Sequence, residues 1–192
     1  MASTRERLVE AASTLLEEGG PAAVTLREVG RRADVSHNAP YKHFASKEEL
    51  LAAVAAAHLR SGQQEMLRVR RSRRPVESVR LILHGMVRDA LAHPEMFRLA
   101  YGPWTIDSAE LGEAASAAMG SLVGLVAAAQ ADGDLPAGDP ERVAAMLRAL
   151  AHGAVDLALA GHLSRTGKGH ASPDDLIDDL FALLPGASSF RS

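Results

Sequence analysis

Apolar residues recur along this chain with the period of a helix almost from its first turn. Leu8, Ala11, Ala12, Leu15 and Leu16 follow the i, i+3, i+4, i+7, i+8 spacing of an amphipathic stripe, and Gly19-Gly20-Pro21 stops it. The pattern then predicts a short helix from about Leu26 to Ala33, with Leu26, Val29, Gly30 and Ala33 inward. After the brief turn Asp34-Val35-Ser36 a third helix is expected from about His37 to Phe44. A long fourth helix, Lys47 to about Arg71, sets Leu50, Leu51, Val54, Ala57 and Leu67 at helical spacing. Beyond Pro75 further helices are expected at about 76–92, 94–101, 108–131, 140–163 and 173–184.

Start signals agree with these elements. Ser3 precedes Glu6, Thr25 precedes Glu28, Ser46 precedes Glu49 and Asp107 precedes Glu110, each at the spacing of a capping box. Asp139-Pro140 and Ser172-Pro173 put an N-cap ahead of a first-turn proline. No strand pattern competes, so the expected fold is all-α with about nine helices, the first three a compact triangle and the fourth leading out of it.

The third helix breaks the amphipathic rule. Between Ser36 and Phe44 the chain reads HNAPYKH, and so short a helix with such a polar side needs a partner for those groups other than a protein core. The net charge of −3 argues against a polyanion, but the charge is unevenly spread. Residues 1–74 hold thirteen Lys+Arg against nine Asp+Glu, net +4, whereas residues 75–192 hold eight against fifteen, net −7. That asymmetry fits a basic head that meets a polyanion and an acidic body that does not.

The remaining composition narrows the class. With 47% hydrophobic and 23% charged residues the chain can bury a core, and with no cysteine it can build neither a disulfide framework nor a thiolate metal site. MASTRERLVEAAS carries both charge signs and no apolar h-region, so it does not read as a secretory signal. The longest uncharged apolar run, Ala114 to Ala129, falls short of the ~20 residues a bilayer requires and is expected to be a buried helix. A cytoplasmic protein with no membrane partner is expected.

Two helices joined by a three- or four-residue turn, the second short and polar, form a helix-turn-helix, whose second helix enters the major groove of DNA. His37, Asn38 and Lys42 are able to hydrogen-bond base edges, and the amides and dipole of the third helix suit phosphate, as does the Ser36 hydroxyl. Tyr41 and His43 suit the backbone or a thymine methyl, and Thr25 and Lys47, at the starts of the second and fourth helices, suit phosphate. Pro40 lacks an N–H inside the first turn, where it forfeits at most one hydrogen bond, so it should stiffen the entrance rather than break the helix.

The pattern Thr25…Val29-Gly30…Ala33-Asp34-Val35-Ser36…Tyr41-Lys42-His43-Phe44…Lys47…Leu50 resembles the N-terminal DNA-binding signature of TetR-type transcriptional repressors. The helix count over the whole chain matches that family too, and HPEMFRLAYG and AHGAVDLALAGH resemble one subgroup of its ligand domains. Two positions depart from it: Asp34 stands where the family usually has glycine, and Gly30 where it usually has alanine. Asp tolerates left-handed backbone, so the turn should survive. Gly30 should cost the second helix roughly 1 kcal/mol relative to alanine and allow closer packing.

The resemblance implies a DNA-binding domain at 1–46, with the helix at 47–71 as connector, and a ligand-binding and dimerisation domain at 75–185. Thr25, Ser36, His37, Asn38, Tyr41, Lys42, His43 and Lys47 then lie at DNA-contacting positions, and Arg27 and Ala39 join the candidate set. It further implies a homodimer, a double-stranded DNA operator and a small hydrophobic or amphipathic effector, with no cofactor. The candidate pocket comprises His84, Phe97, Tyr101, Trp104, Met119, Met146 and His152. The helix from Val143 to Leu159 is apolar around most of its circumference and must be covered. With the last helix it supplies the candidate dimer seam, Leu150, Ala154, Ala158, Ile177, Leu180 and Phe181.

The expected function is a ligand-responsive regulator, a repressor that releases its operator when the effector binds. The alternatives are a helix-turn-helix regulator without an inducer, constitutive or activating, and a metal-dependent or enzymatic helical protein. Neither a Gly-rich phosphate loop nor a metal-spaced histidine cluster supports the last, so no enzyme activity and no metal are expected. The arginine run at Arg68, Arg70, Arg71, Arg73 and Arg74 is read as cations complementing a helix C-terminus rather than as a DNA arm.

Overall fold

A computed structural model describes residues 2–70 and 73–184. Arg71, where the fourth helix was expected to end, and residue 185, the expected end of the second domain, lie outside the described residues. Within them the chain forms nine helices: α1 (Thr4–Ala23), α2 (Leu26–Arg32), α3 (Ala39–His43), α4 (Lys47–Arg70), α5 (Pro75–Ala92), α6 (Pro94–Tyr101), α7 (Ala109–Ala131), α8 (Pro140–Leu159) and α9 (Pro173–Leu183). The only β-type pairing among the described residues is an isolated bridge between Ser164 and Gly169.

Most start signals act as their chemistry requires. Ser3 and Glu6, and Ser172 and Asp175, make reciprocal capping boxes, and the Thr25 hydroxyl accepts from the Glu28 amide. At α7 the cap is Ser108, whose Oγ accepts from the Leu111 amide, rather than Asp107. The regular part of α1 breaks where the glycines predict, at Gly19 and at Gly20 with φ +66°. One further turn, Pro21–Ala23, follows before Val24 enters the core.

The chain divides into two compact units. The first takes Met1–Ser61 and His93–Ser116. Its core gathers Leu8, Leu15, Leu16, Val24, Val29, Phe44, Leu50, Val54 and Met96, and a second cluster joins Ala52, Ala55, Ala56 and Leu59 of α4 to Ala100, Leu111 and Ala114. The expected boundary at residue 46 therefore falls inside a compact unit, because α6 packs on α1 and α4 is wanted on both sides. Leu50 to Ala56 are all buried, and the alanines let neighbours approach closely. Ala57 is exposed and Leu67 is 41% exposed, so helical spacing of apolar residues along α4 does not by itself mark what is buried.

The second unit takes Gly62–Ala92 and Ala117–Ser192. There α5 packs on α8 and α9, and these pack on each other, burying Val79, Leu83, Val87, Leu147, Val155, Ile177 and Phe181. Arg74 reaches Asp134 with two bonds of 2.7 and 2.8 Å, and Arg165 pairs with Asp175 at 2.6 Å. α7 is long and apolar enough, by length and composition, to cross a membrane. It is not buried all round as expected: Leu122, Leu125, Val126 and Ala129 are covered, whereas Ala117, Gly120 and Ala127 are exposed.

Candidate DNA-binding interface

The turn between α2 and α3 is built by backbone geometry the sequence permits. Asp34 adopts φ +50°, the left-handed region that a short polar side chain tolerates, and the Val35 amide donates to the Gly30 carbonyl. Ala39 N donates to Ser36 O at 2.9 Å, starting α3 two residues later than expected. With only five residues, α3 has little dipole to offer an anion, so its side chains rather than its N-terminus must do the work.

Pro40 is the anchor. It is buried, and a Cβ built on Gly30 would lie 2.8 Å from its Cγ, nearer than such atoms come. Gly30 is thus the position at which α2 lets α3 approach, which outweighs its propensity cost of roughly 1 kcal/mol. Phe44, 2% exposed, closes the other end of α3 inside the core, and the Arg5 guanidinium stands 5.2 Å over its ring. Arg5 is itself held by Glu110, whose carboxylate takes Arg5 at 2.5 Å and Arg60 at 2.7 Å. Burial pushes the Glu110 carboxyl up, but the hydrogen bonds from Arg60 and Arg5 and their charges outweigh it and leave it below the ordinary carboxylate value.

With both ends seated, the polar side chains have one direction left. Ser36, His37, Asn38, Lys42 and His43 are exposed, Tyr41 is 53% exposed and Ala39 half-buried. His37 meets Tyr41 edge-on at 6.0 Å, and Asn38 makes no side-chain capping bond. Thr25 and Arg27 are exposed on α2, while Lys47 is half-buried and its ammonium donates to the Pro21 carbonyl. Arg31 pairs with Glu28 within α2, and that hydrogen bond holds the Glu28 carboxyl below its usual range. The face therefore offers amide, imidazole, phenol, hydroxyl and ammonium groups, which suit a polyanion and its base edges.

The other candidate sets are less coherent. Phe97, Tyr101 and Trp104 belong to the first unit and His84, Met119, Met146 and His152 to the second. Phe97 is buried with Tyr101 tilted against it at 5.5 Å, and Trp104 packs against both apolar clusters of its unit. His84 has Nδ1 2.5 Å from Asp174 and Nε2 2.8 Å from Asp178, so both nitrogens are committed to α9 rather than left for a ligand. Met119 is half-buried. Met146 is 64% exposed on α8, open to solvent rather than enclosed among the described residues. Burial, then the Arg148 charge, pushes the His152 imidazole below its ordinary value against the pull of Asp156.

Of the six seam candidates, Ala154, Ile177 and Phe181 are buried inside the second unit, because α5, α8 and α9 cover them. They are core, not available surface. Leu150, Ala158 and Leu180 are partly exposed, and Leu157 at 47% and Leu183 at 83% stand out further, though sequence reasoning passed over both. Periodicity alone gave no signal for them, since α8 is apolar on more than one side. The Arg5–Glu110–Arg60 cluster was also missed, its members lying too far apart in the chain for any local pattern.

A basic helix-turn-helix head followed by a larger helical body is the architecture of a bacterial transcription regulator. Residues 8–54 match the model of bacterial regulatory proteins of the tetR family, and residues 79–184 match a tetracyclin repressor-like C-terminal domain. The chain belongs to the TetR family and is a TetR-family transcriptional regulator.

Among solved structures, a protein of unknown function from Rhodococcus sp. RHA1 is 31% identical and superposes with a TM-score of 0.79 over 94% of this chain and 93% of that one. The transcriptional regulator FadR of Bacillus subtilis, solved in complex with stearoyl-CoA, shares the fold at a TM-score of 0.71 with 14% identity, covering 94% and 97% of the two chains. The HTH-type transcriptional repressor Rv3405c of Mycobacterium tuberculosis is 38% identical over 47 residues, 24% of this chain. That match spans 25% of the length of the relative.

Proposed function

We propose that the protein is a ligand-responsive repressor that binds a palindromic DNA operator as a homodimer and releases it when a small hydrophobic or amphipathic effector binds. The carrying observation is the outward polar face of α3, held there by the inward Pro40 and Phe44. His37, Asn38, Ala39 and Lys42 face base edges, while Thr25, Arg27, Ser36, Tyr41, His43 and Lys47 hold phosphates. Two copies of α3 then read half-sites about one helical turn, ~34 to 36 Å, apart or a multiple of it.

The homodimer would cover the apolar residues that α8 and α9 leave to water. Met146, Leu150, Gly153 and Leu157 follow one stripe of α8, and Leu180 and Leu183 stand on α9, a self-complementary set suited to a two-fold seam. The stearoyl-CoA held by FadR supports an effector with a long apolar part. To act as inducer it must prefer the released conformation, since moving a 1:99 balance to 99:1 takes about 5.5 kcal/mol of preference. The protein acts in the cytoplasm, where operator DNA is.

Footprinting of the full-length protein on DNA adjoining its own gene tests this reading. A protected palindrome is the expected result; no affinity for any double-stranded DNA in dilute buffer overturns it. Mass spectrometry of small molecules released on denaturation tests the effector arm, and a body that never releases or takes up an acyl compound favours a regulator without an inducer.

A further inference from the structure

The seat of Pro40 fixes more than the presence of an exposed polar face: it fixes which two side chains stand opposite the anchor. Successive residues of a helix turn by about 100° around its axis, so positions two before and two after Pro40 each lie about 160° from it. Those positions are Asn38 and Lys42. Pro40 is pressed against Gly30 and defines the inside, and Asn38, the N-cap of α3, has right-handed backbone at φ −88° and ψ −9° that continues the turn of the helix. His37 and Tyr41 fall together on one flank, as their edge-on contact at 6.0 Å confirms, and Ala39 and His43 fall on the other. The crest opposite the anchor therefore belongs to an amide and an ammonium.

Each crest group matches one base. A carboxamide accepts from adenine N6 and donates to N7, whereas an ammonium donates to guanine O6 and N7. The Asn38 amide is not used in capping α3, so its donor and acceptor are both available to a base, and Lys42 is exposed. Four residues advance a helix by about 6 Å, close to two base steps of ~3.4 Å. Resting on the DNA-reading function proposed above, we infer that each operator half-site carries an adenine read by Asn38 and, two base pairs away, a guanine read by Lys42. His37, edge-on against Tyr41, reaches base edges from the flank of this pair.

Selection from a randomised double-stranded DNA library with full-length wild type, Asn38→Ala and Lys42→Ala tests the assignment. Wild type is expected to enrich half-sites with adenine and guanine two positions apart. Asn38→Ala should lose discrimination at the adenine alone and Lys42→Ala at the guanine alone, each by about 5- to 150-fold. Replacing that adenine with 7-deazaadenine, which lacks N7, should weaken wild type but leave Asn38→Ala unchanged.

An adenine preference that survives Asn38→Ala overturns the inference. So does a Lys42→Ala protein that binds every sequence proportionately more weakly with a shallower salt dependence, which would make Lys42 a phosphate contact. Both results leave the proposed repressor standing. A wild-type protein that enriches no sequence overturns both.

Discussion

The two units expose opposite kinds of surface. Around α3 the first unit turns outward imidazole, amide, phenol and ammonium groups, and tucks Pro40 and Phe44 beneath them. The second unit leaves Met146, Leu157 and Leu183 to solvent at 64%, 47% and 83%. Polar groups stay solvated while they wait for a partner, but each Å² of apolar surface left in water forgoes about 25 cal/mol. The first surface suits a choice among polar partners, and on the proposed reading the second is the one a second copy would cover. Rigidity in the head comes from beneath, through close packing and charge, whereas the apolar residues on the outer side of α8 and α9 have only water over them in the single chain.

The sharpest way to break that comparison is to place a charge on each side of α8. Ala154 is 2% exposed, so Ala154→Asp would bury an unpaired carboxylate in the chain's own core and should unfold the second unit, a loss beyond ~4 kcal/mol visible by circular dichroism. Leu157→Asp, three residues on but 47% exposed, should keep its helical signal yet weaken self-association at least ~100-fold in sedimentation. A dimer undisturbed by Leu157→Asp would move the seam elsewhere.

Beneath α3, Gly30→Ala sets two effects against each other. Helix propensity favours alanine by about 1 kcal/mol, but a Cβ 2.8 Å from a proline ring carbon overpacks a contact that cannot swing away, at ~1 to 3 kcal/mol. Net destabilisation is expected in thermal melts, with recovery when Pro40→Ala is added; a more stable Gly30→Ala protein would mean that the α2–α3 contact is loose.

Glu110→Gln removes the charge that holds Arg5 and Arg60. Because the arginines are part exposed, the loss at neutral pH should be at most ~1 kcal/mol in urea unfolding. The folded carboxyl lies below its ordinary value, so its stabilisation is complete above the unfolded value near ~4.3 and is lost as pH falls through the folded one. The gap between wild type and Glu110→Gln should therefore close in acid, and a gap constant across that range would remove the charge from the account. The smallest effect is expected from Lys47→Ala, which should weaken all DNA sequences alike and flatten the salt slope by about one unit. A slope equal to that of wild type would leave Lys47 with only its bond to the Pro21 carbonyl.

Much of the head could be read before any coordinates. Local signals placed α1 to α4 closely, because caps, glycines and the apolar stripe act within a few residues of one another. The polar content of α3 singled out its partner class for the same reason. Legibility failed where a residue's role depends on which of several apolar sides is covered. Met146 and Leu157 look like Leu147 and Val155 in any periodicity of α8, yet the first pair is exposed and the second buried. His84 carries no mark in sequence that Asp174 and Asp178, some ninety residues on, will take both of its nitrogens.

By itself the chain dictated its helices, the turn at Asp34 and the chemical groups at its reading head, since these rest on short-range sterics and hydrogen bonding. Tertiary packing alone decided that Pro40 faces Gly30 and so aims Asn38 and Lys42 outward, that Glu110 grips two distant arginines, and which side of α8 meets water. Those outcomes depend on contacts between elements far apart in sequence, and only the folded arrangement brings such residues within reach of each other.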